Sequence, residues 1–319
     1  MSSIFLLAVF SIALQEQQSN YDPSTTSGKV TVTDTEFEYD DGKKVPLRIY
    51  LPESESAAPV ILFSHGLGGS RKNNPYLGNH WAGRGYVVVF MQHSGSDEEI
   101  RKDVPRRERL KAFKAAASPE SLKRRTGDVP ATLDQLEKWN AQGQKLASRL
   151  DMEKIGMSGH SFGAITTQAL SGQSYGRRGK MFTDERIKAS IAMSPSAPQI
   201  GNDERTFGEI KIPWLLMTGT KDKSVIARLT AEDRLKVFEQ LPSSGHFYEL
   251  VLYDAEHMAF SERTLSGGAQ RNPNHHKSIL ALSSAFWDTY LKEDQPAKNW
   301  LNGKESKKIL DSKDKWQMK

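Results

Sequence analysis

Two near-continuous apolar runs, residues 58–64 (Ala-Pro-Val-Ile-Leu-Phe-Ser) and 85–91 (Gly-Tyr-Val-Val-Val-Phe-Met), dominate the hydropathy pattern of the chain. Strands apolar on both faces belong in the middle of a covered, parallel sheet. Ahead of them, alternation over 30–39 and again over 45–51, separated by the Asp-Gly turn within 40–44, predicts an antiparallel hairpin. Further strands are predicted at 154–159, 187–193, 213–218 and 247–253, and helices at 165–170, 231–240 and 276–291. Residues 76–83 have helical spacing, with Tyr76, Leu77, His80 and Trp81 near one face. Another helix is expected to start near Asp128-Val-Pro130, where the aspartate can cap and the proline tolerates the first turn. Its Leu133, Leu136 and Trp139 recur at helical spacing. Strands alternating with helices after a leading hairpin predict an α/β fold. The expected sheet is mostly parallel and doubly wound, antiparallel at its beginning, with helices on both faces.

The N-terminal pattern differs from the rest. An apolar run at 4–14 is followed abruptly by a polar stretch from Gln15 to Gly28. The run resembles the core of a secretory signal peptide, although no Lys or Arg precedes it, and an amphipathic helix is the alternative. The expected organisation is a signal peptide and polar linker over 1–28, then a single domain over 29–319. A secreted or periplasmic location follows from that reading. No apolar stretch reaches the roughly 18 residues needed to span a membrane, so integral membrane association is not expected.

Composition alters this picture in two places. The chain of 319 residues contains no Cys, which excludes disulfides, thiolate metal sites and a cysteine nucleophile. The net charge of +5 is concentrated: residues 101–125 hold ten Lys and Arg against three acids. A solvated, basic helical insertion at about 98–127 accounts for the run, with a polyanion site as the alternative. No nucleic-acid motif accompanies it, and Phe113 is the one aromatic residue among its bases.

The chemistry centres on residues 154–164, where a short apolar strand runs into Gly159-His160-Ser161-Phe162-Gly163 and then into helix-compatible residues. A Gly-x-Ser-x-Gly match between a strand and a helix is a nucleophile elbow: the serine sits on a strained turn that needs neighbours without bulk. The same turn aims the Phe162 N–H and the positive end of the helix at the place where an oxyanion would form. A structural turn is the competing account of the match. In such a sheet ligands bind at the carboxyl ends of strands, so partner residues should follow strands directly. Asp222 follows the strand 213–218 in Gly219-Thr-Lys-Asp222, and His257 follows 247–253 in Asp254-Ala-Glu-His257. The chain order Ser161, Asp222, His257 is that expected of a serine hydrolase on this kind of sheet. Ser161 is assigned as nucleophile, His257 as base and Asp222 as orienting acid, with Asp254 and Asp184 as rival acids. After the run 58–64, the loop Ser64-His-Gly-Leu-Gly-Gly-Ser70 offers a second oxyanion donor, Leu67 N–H, to pair with Phe162 N–H. A phosphate-binding reading of this loop lacks the Lys-Ser/Thr of a P-loop.

The remaining histidines have duller readings. His160 is expected to leave the elbow in another direction and pack. His80, His93, His246, His275 and His276 lack strand-end placement with an acid partner, though His93 ends a strand and could line the mouth. His275-His276 is not a metal pair, since adjacent helix positions share no face. Tyr76, Phe162, Trp214 and Met258 are apolar candidates for pocket walls, equally explained as core.

With 65–69, 159–163, Asp222 and His257 in place, the chain resembles the α/β-hydrolase superfamily. Within it, residues 63–71 (Phe-Ser-His-Gly-Leu-Gly-Gly-Ser-Arg), 80–90 and 94–97 look like the group of platelet-activating-factor acetylhydrolases, dienelactone-hydrolase-like proteins and cutinase-type polyester hydrolases. The resemblance covers roughly 45–291. Dienelactone hydrolases proper use a cysteine nucleophile, which this chain lacks. Some of the acetylhydrolases take their acid after the strand that follows the elbow helix, where this chain reads Ser194-Pro-Ser-Ala-Pro198. The later Asp222 resembles the cutinase-like arrangement. The resemblance implies a carboxylic ester hydrolase working through an acyl-enzyme on small, lipid-like or polymeric esters, with neither metal nor organic cofactor. Alternatives are an acyltransferase or serine peptidase on the same triad, or a catalytically silent binding protein. Oligomeric state is not specified by these patterns.

Overall fold

The computed structural model describes residues 21–26, 28–40, 42–198, 205–224, 226–243, 245–262, 268 and 270–319. The expected signal segment at 4–14 lies outside the described residues. A nine-stranded sheet runs in the order β1-β2-β4-β3-β5-β6-β7-β8-β9. β1 (Val30–Tyr39) and β2 (Lys43–Pro52) form the antiparallel hairpin, in unbroken register from Val30 opposite Pro52 to Tyr39 opposite Lys43. β2 pairs antiparallel with β4 (Val87–Met91), and β4 is parallel to β3 (Ala58–Ser64). The parallel run continues through β5 (Leu150–His160), β6 (Ile187–Met193), β7 (Trp214–Lys221) and β8 (Phe247–Glu256).

Alternate side chains of the central strands enter opposite cores, as the period of a strand demands. Ile61 and Phe63 pack with Trp81 of α1 (Pro75–Gly83) and with Phe286 and Trp287 of α6 (Pro273–Leu291). Val60 and Leu62 pack on the other face with Val129, Leu133 and Leu136 of α3 (Pro119–Asn140). On that second face Ala164 of α4 (Phe162–Leu170) and Val237 of α5 (Ala231–Gln240) cover β6 and β7. The α/β architecture with helices on both faces is therefore the one the periodicity predicted.

Two regions depart from expectation. The basic segment carries a short helix, α2 (Arg109–Ala116), and then α3, which begins nine residues before Asp128, at Pro119. Ser118 caps it, its Oγ accepting the Ser121 N–H at 3.1 Å, and Pro119 takes the first position where a missing N–H costs nothing. Asp128 is accordingly no cap. Its fully buried carboxylate accepts hydrogen bonds from Tyr39 and Arg124 inside the helix–sheet interface. The last thirty residues also carry structure that the pattern did not reveal: α7 (Gln295–Asn302), α8 (Glu305–Lys308) and the edge strand β9 (Lys315–Met318), antiparallel to β8. Residues 21–26 lie against α1 and α6, with the Tyr21 hydroxyl donating to buried Asp288 at 2.7 Å and His80 hydrogen-bonding the Pro23 carbonyl.

The edge pair β8/β9 buries an acid. Glu249 is 1% exposed, and of its two oxygens only Oε2 receives a donor among the described residues, from Gln317. Burial pushes its carboxyl up to about 7. A carboxyl raised in the fold favours the folded state below its unfolded value, and that contribution is lost as pH rises through the folded value. Glu249→Gln should therefore add about 2–3 kcal/mol to stability at pH 8 and little at pH 5. Thermal melts at the two pH values check this, and equal gains at both would contradict it.

Candidate active site

The elbow is built by contact between two strand ends. β5 ends at His160, α4 begins at Phe162, and Ser161 between them has φ 59° and ψ −116°. A non-glycine residue held there is strained. The surroundings fix it, since the Ser161 N–H donates to the Met193 carbonyl at the end of β6 at 2.9 Å. The flanking glycines have no alternative: a Cβ on Gly163 would lie 1.8 Å from the Ser64 carbonyl oxygen, and one on Gly159 would lie 2.3 Å from the Gly163 carbonyl oxygen. The start of α4 thus presses directly on the end of β3.

Ser161, Asp222 and His257 come together from three strand ends. His257 Nε2 lies 2.9 Å from Ser161 Oγ, and its Nδ1 lies 2.7 Å from Asp222 Oδ1. A carboxylate only accepts, so Nδ1 carries the proton toward Asp222 and Nε2 is left to accept from the serine hydroxyl. Asp222 is wholly buried immediately after β7; the Thr218 hydroxyl donates to its Oδ2 at 3.0 Å, and Arg234 Nε of α5 lies 3.0 Å from Oδ1. Burial pushes this carboxyl up, but the His257 hydrogen bond and the Arg234 charge outweigh it and hold it well below the usual carboxylate range. The rival acids are elsewhere. Asp254 forms an exposed ion pair with Lys221, and Asp184 pairs with Arg186.

Arg234 was invisible in the sequence pattern. Its guanidinium donates to the carbonyls of Ser194 and Pro195 and to Ser196 Oγ, at 2.8–2.9 Å, which ties the loop bearing Asp222 to the end of β6. A charged residue on a helix reads as solvated, and nothing in the local pattern marks it as buried. His160 does more than pack. Its Nε2 donates to the His257 carbonyl at 3.0 Å and its ring lies 4.8 Å from the His257 ring. Burial, then the neighbouring His257, drive its imidazole far below the ordinary histidine value, so it is a neutral brace on the His257 loop.

Ser161 opens on a cleft of about 350 Å³. Gly66 and Leu67 of the loop after β3 line it together with Phe162, His257 and Met258. Phe162 is the first residue of α4 and has no intrahelical acceptor for its N–H. Among the described residues the Leu67 N–H has no protein acceptor either. The basic segment supplies one wall: Phe113 of α2 faces the cleft and covers Gly68 closely enough that a Cβ there would sit 2.3 Å from the ring. Of the four side chains singled out as possible walls, Phe162 and Met258 line the cleft. Trp214 is buried in the core, and Tyr76 stacks on His276 at 4.0 Å. Among the described residues no group of three His, Asp or Glu side chains converges as metal ligands. A hydroxyl bonded to an imidazole that is backed by an ionised carboxylate can lose its proton as it attacks an electrophilic carbon.

The strand order, the elbow after β5 and the loop after β3 define an α/β-hydrolase-like protein. Comparison with known proteins narrows the group. A family model described as platelet-activating factor acetylhydrolase, isoform II, matches residues 29–108. A platelet-activating factor acetylhydrolase from Cavia porcellus is 27% identical over 186 residues, which is 50% of this chain and 40% of that protein. The alignment thus spans well under half of the relative's length. Both matches name the acetylhydrolase member of the group that residues 63–71, 80–90 and 94–97 resemble. The family-model match holds β1 to β4 and the loop 64–70, while Ser161, Asp222 and His257 lie beyond it.

The contact between α4 and β3 yields a test. Gly163→Ala should destabilise the fold by about 3 kcal/mol, because the new methyl meets backbone and not a flexible side chain. Chemical denaturation measures it, and a change under about 0.5 kcal/mol would show that the two strand ends can separate freely.

Proposed function

We propose that the protein is a serine-dependent carboxylic ester hydrolase that works through an acyl-enzyme on Ser161. The hydrogen-bonded chain from Ser161 Oγ through His257 to Asp222 carries the reading. His257 Nε2 takes the hydroxyl proton as Oγ bonds to the ester carbonyl carbon, and the carbonyl oxygen becomes an oxyanion facing the N–H groups of Leu67 and Phe162. Asp222, anionic beside Arg234, stabilises the imidazolium. The imidazolium then gives its proton to the departing alkoxide, which leaves as the alcohol. Water repeats the sequence on the acyl-enzyme: His257 removes its proton, the carboxylic acid leaves and the serine hydroxyl is restored.

The apolar walls of the cleft, Leu67, Phe113, Phe162, Ile165, Leu229 and Met258, support an apolar or lipid-like ester. The relative from Cavia porcellus is named for hydrolysing an acetyl group from platelet-activating factor, which makes an acetyl ester the first substrate to try. Among the described residues no helix is long and apolar enough to cross a membrane. Export, suggested by the apolar run 4–14, belongs to the same reading. p-Nitrophenyl esters from acetate to palmitate, offered to the wild type and to Ser161→Ala, test the proposal. Turnover should fall at least about 10³-fold in the variant, and the preferred chain length should size the cleft. Equal or absent turnover in both would sink the ester-hydrolase reading.

A further inference from the structure

Behind the elbow lies a second buried constellation that the proposed chemistry does not use. Ser64 Oγ is 2.9 Å from His93 Nε2, and His93 Nδ1 is 2.9 Å from Asp128 Oδ2. These side chains have no solvent exposure, so no substrate reaches them. Burial and the nearby Arg125 charge hold the His93 imidazole below its ordinary value despite Asp128, leaving a neutral ring whose Nε2 accepts from Ser64. Ser64 is the last residue of β3, and the loop bearing Leu67 begins at the next position.

The centre of this network is Arg125 of α3, a residue of the segment expected to be a solvated basic insertion, yet 0% exposed. Its Nη1 donates to the His65 carbonyl at 2.7 Å and to Ser64 Oγ at 3.2 Å. Its Nε donates to Ser96 Oγ at 2.8 Å and its Nη2 reaches the Ser96 carbonyl at 3.4 Å. That same Ser96 carbonyl accepts the Gly68 N–H at 2.9 Å. Arg125 therefore holds the backbone two positions before Leu67 directly and the backbone one position after it through Ser96. The guanidinium also lies over the Phe162 ring, its carbon 4.4 Å from the centroid.

We propose that Arg125 is the positioning residue of the oxyanion hole, fixing the Leu67 N–H and the Phe162 N–H relative to one another. One donor lies on the loop after β3 and the other at the start of α4 after β5, and Arg125 contacts both segments. The inference rests on the ester-hydrolase reading. Donors for an oxyanion act only if aimed before the reaction, and a displacement near 1 Å costs about 100-fold in rate. Lysine cannot substitute, because an ammonium has no planar fork to bridge two carbonyls while stacking on a ring.

The test compares wild type, Arg125→Lys, Ser96→Ala and Ser161→Ala on p-nitrophenyl acetate, with inhibition by an aryl trifluoromethyl ketone, whose serine adduct places an oxyanion in the hole. Arg125→Lys should lower kcat about 100-fold, leave KM within about threefold and weaken the ketone in proportion to kcat/KM. Ser96→Ala, which keeps the arginine but removes one anchor, should lower kcat about tenfold with the same split. Should Arg125→Lys fail to fold, Ser96→Ala decides alone. A folded Arg125→Lys with kcat within about threefold of wild type, or a loss confined to KM with ketone affinity unchanged, would overturn the proposal. So would a Ser96→Ala protein with wild-type kcat and ketone affinity. A wild type no more active than Ser161→Ala would remove the ester-hydrolase reading itself, a different result from active wild type beside active variants.

Discussion

The close approach of α4 to the end of β3 is the contact on which the site depends. A helix start can press on a neighbouring strand end only where no Cβ intervenes, and Gly159 and Gly163 provide that space on either side of Ser161. The approach has three simultaneous consequences. It holds Ser161 in a positive-φ conformation, puts Ser161 and Phe162 on the wall of the cleft, and brings Gly66 and Leu67 of the loop after β3 alongside them. The strain at Ser161 is borne by a hydrogen bond to β6 and by helix packing against β3, so its geometry is a property of β3, β5 and β6 together and not of one turn.

Two buried arginines stabilise what that contact arranges. Arg234 lies behind Asp222 and Arg125 behind the loop after β3, each on a helix covering the same face of the sheet. A buried cation is costly unless its donors are engaged. Arg234 is engaged by a carboxylate and by the backbone of the β6 loop; Arg125, with no direct ion pair among the described residues, is engaged by carbonyls, hydroxyls and an aromatic face. Both convert charge into backbone placement. Loops that would otherwise sample several conformations are tied to helices packed on the core.

Much of this was legible in the sequence, for reasons that differ by element. β3 and β4 were legible because strands buried on both faces cannot alternate, and the elbow because its glycines are demanded by backbone contact. Asp222 and His257 were found by asking which acid and which histidine directly follow a strand. The start of α3 was not legible: Asp128 before Pro130 imitates a cap, and only the position of Tyr39, Arg124 and His93 around it reveals a carboxylate buried within a helix. Arg125 and Arg234 read as solvated because charge in a one-dimensional pattern carries no sign of the carbonyls that will surround it. β9, four residues with two polar positions, offers too short a period to register, and is held instead by Trp316 stacked on Tyr248.

The most direct test of the central claim, that Ser161 is a nucleophile activated through His257 by Asp222, is covalent labelling with a fluorophosphonate followed by intact and peptide mass measurement. One adduct per chain, located on Ser161, is expected. Its rate of formation should be slowed by at least about 10³ in Asp222→Asn and unaffected in Asp254→Asn. No adduct, an adduct on another serine, or equal labelling of wild type and Asp222→Asn would contradict it.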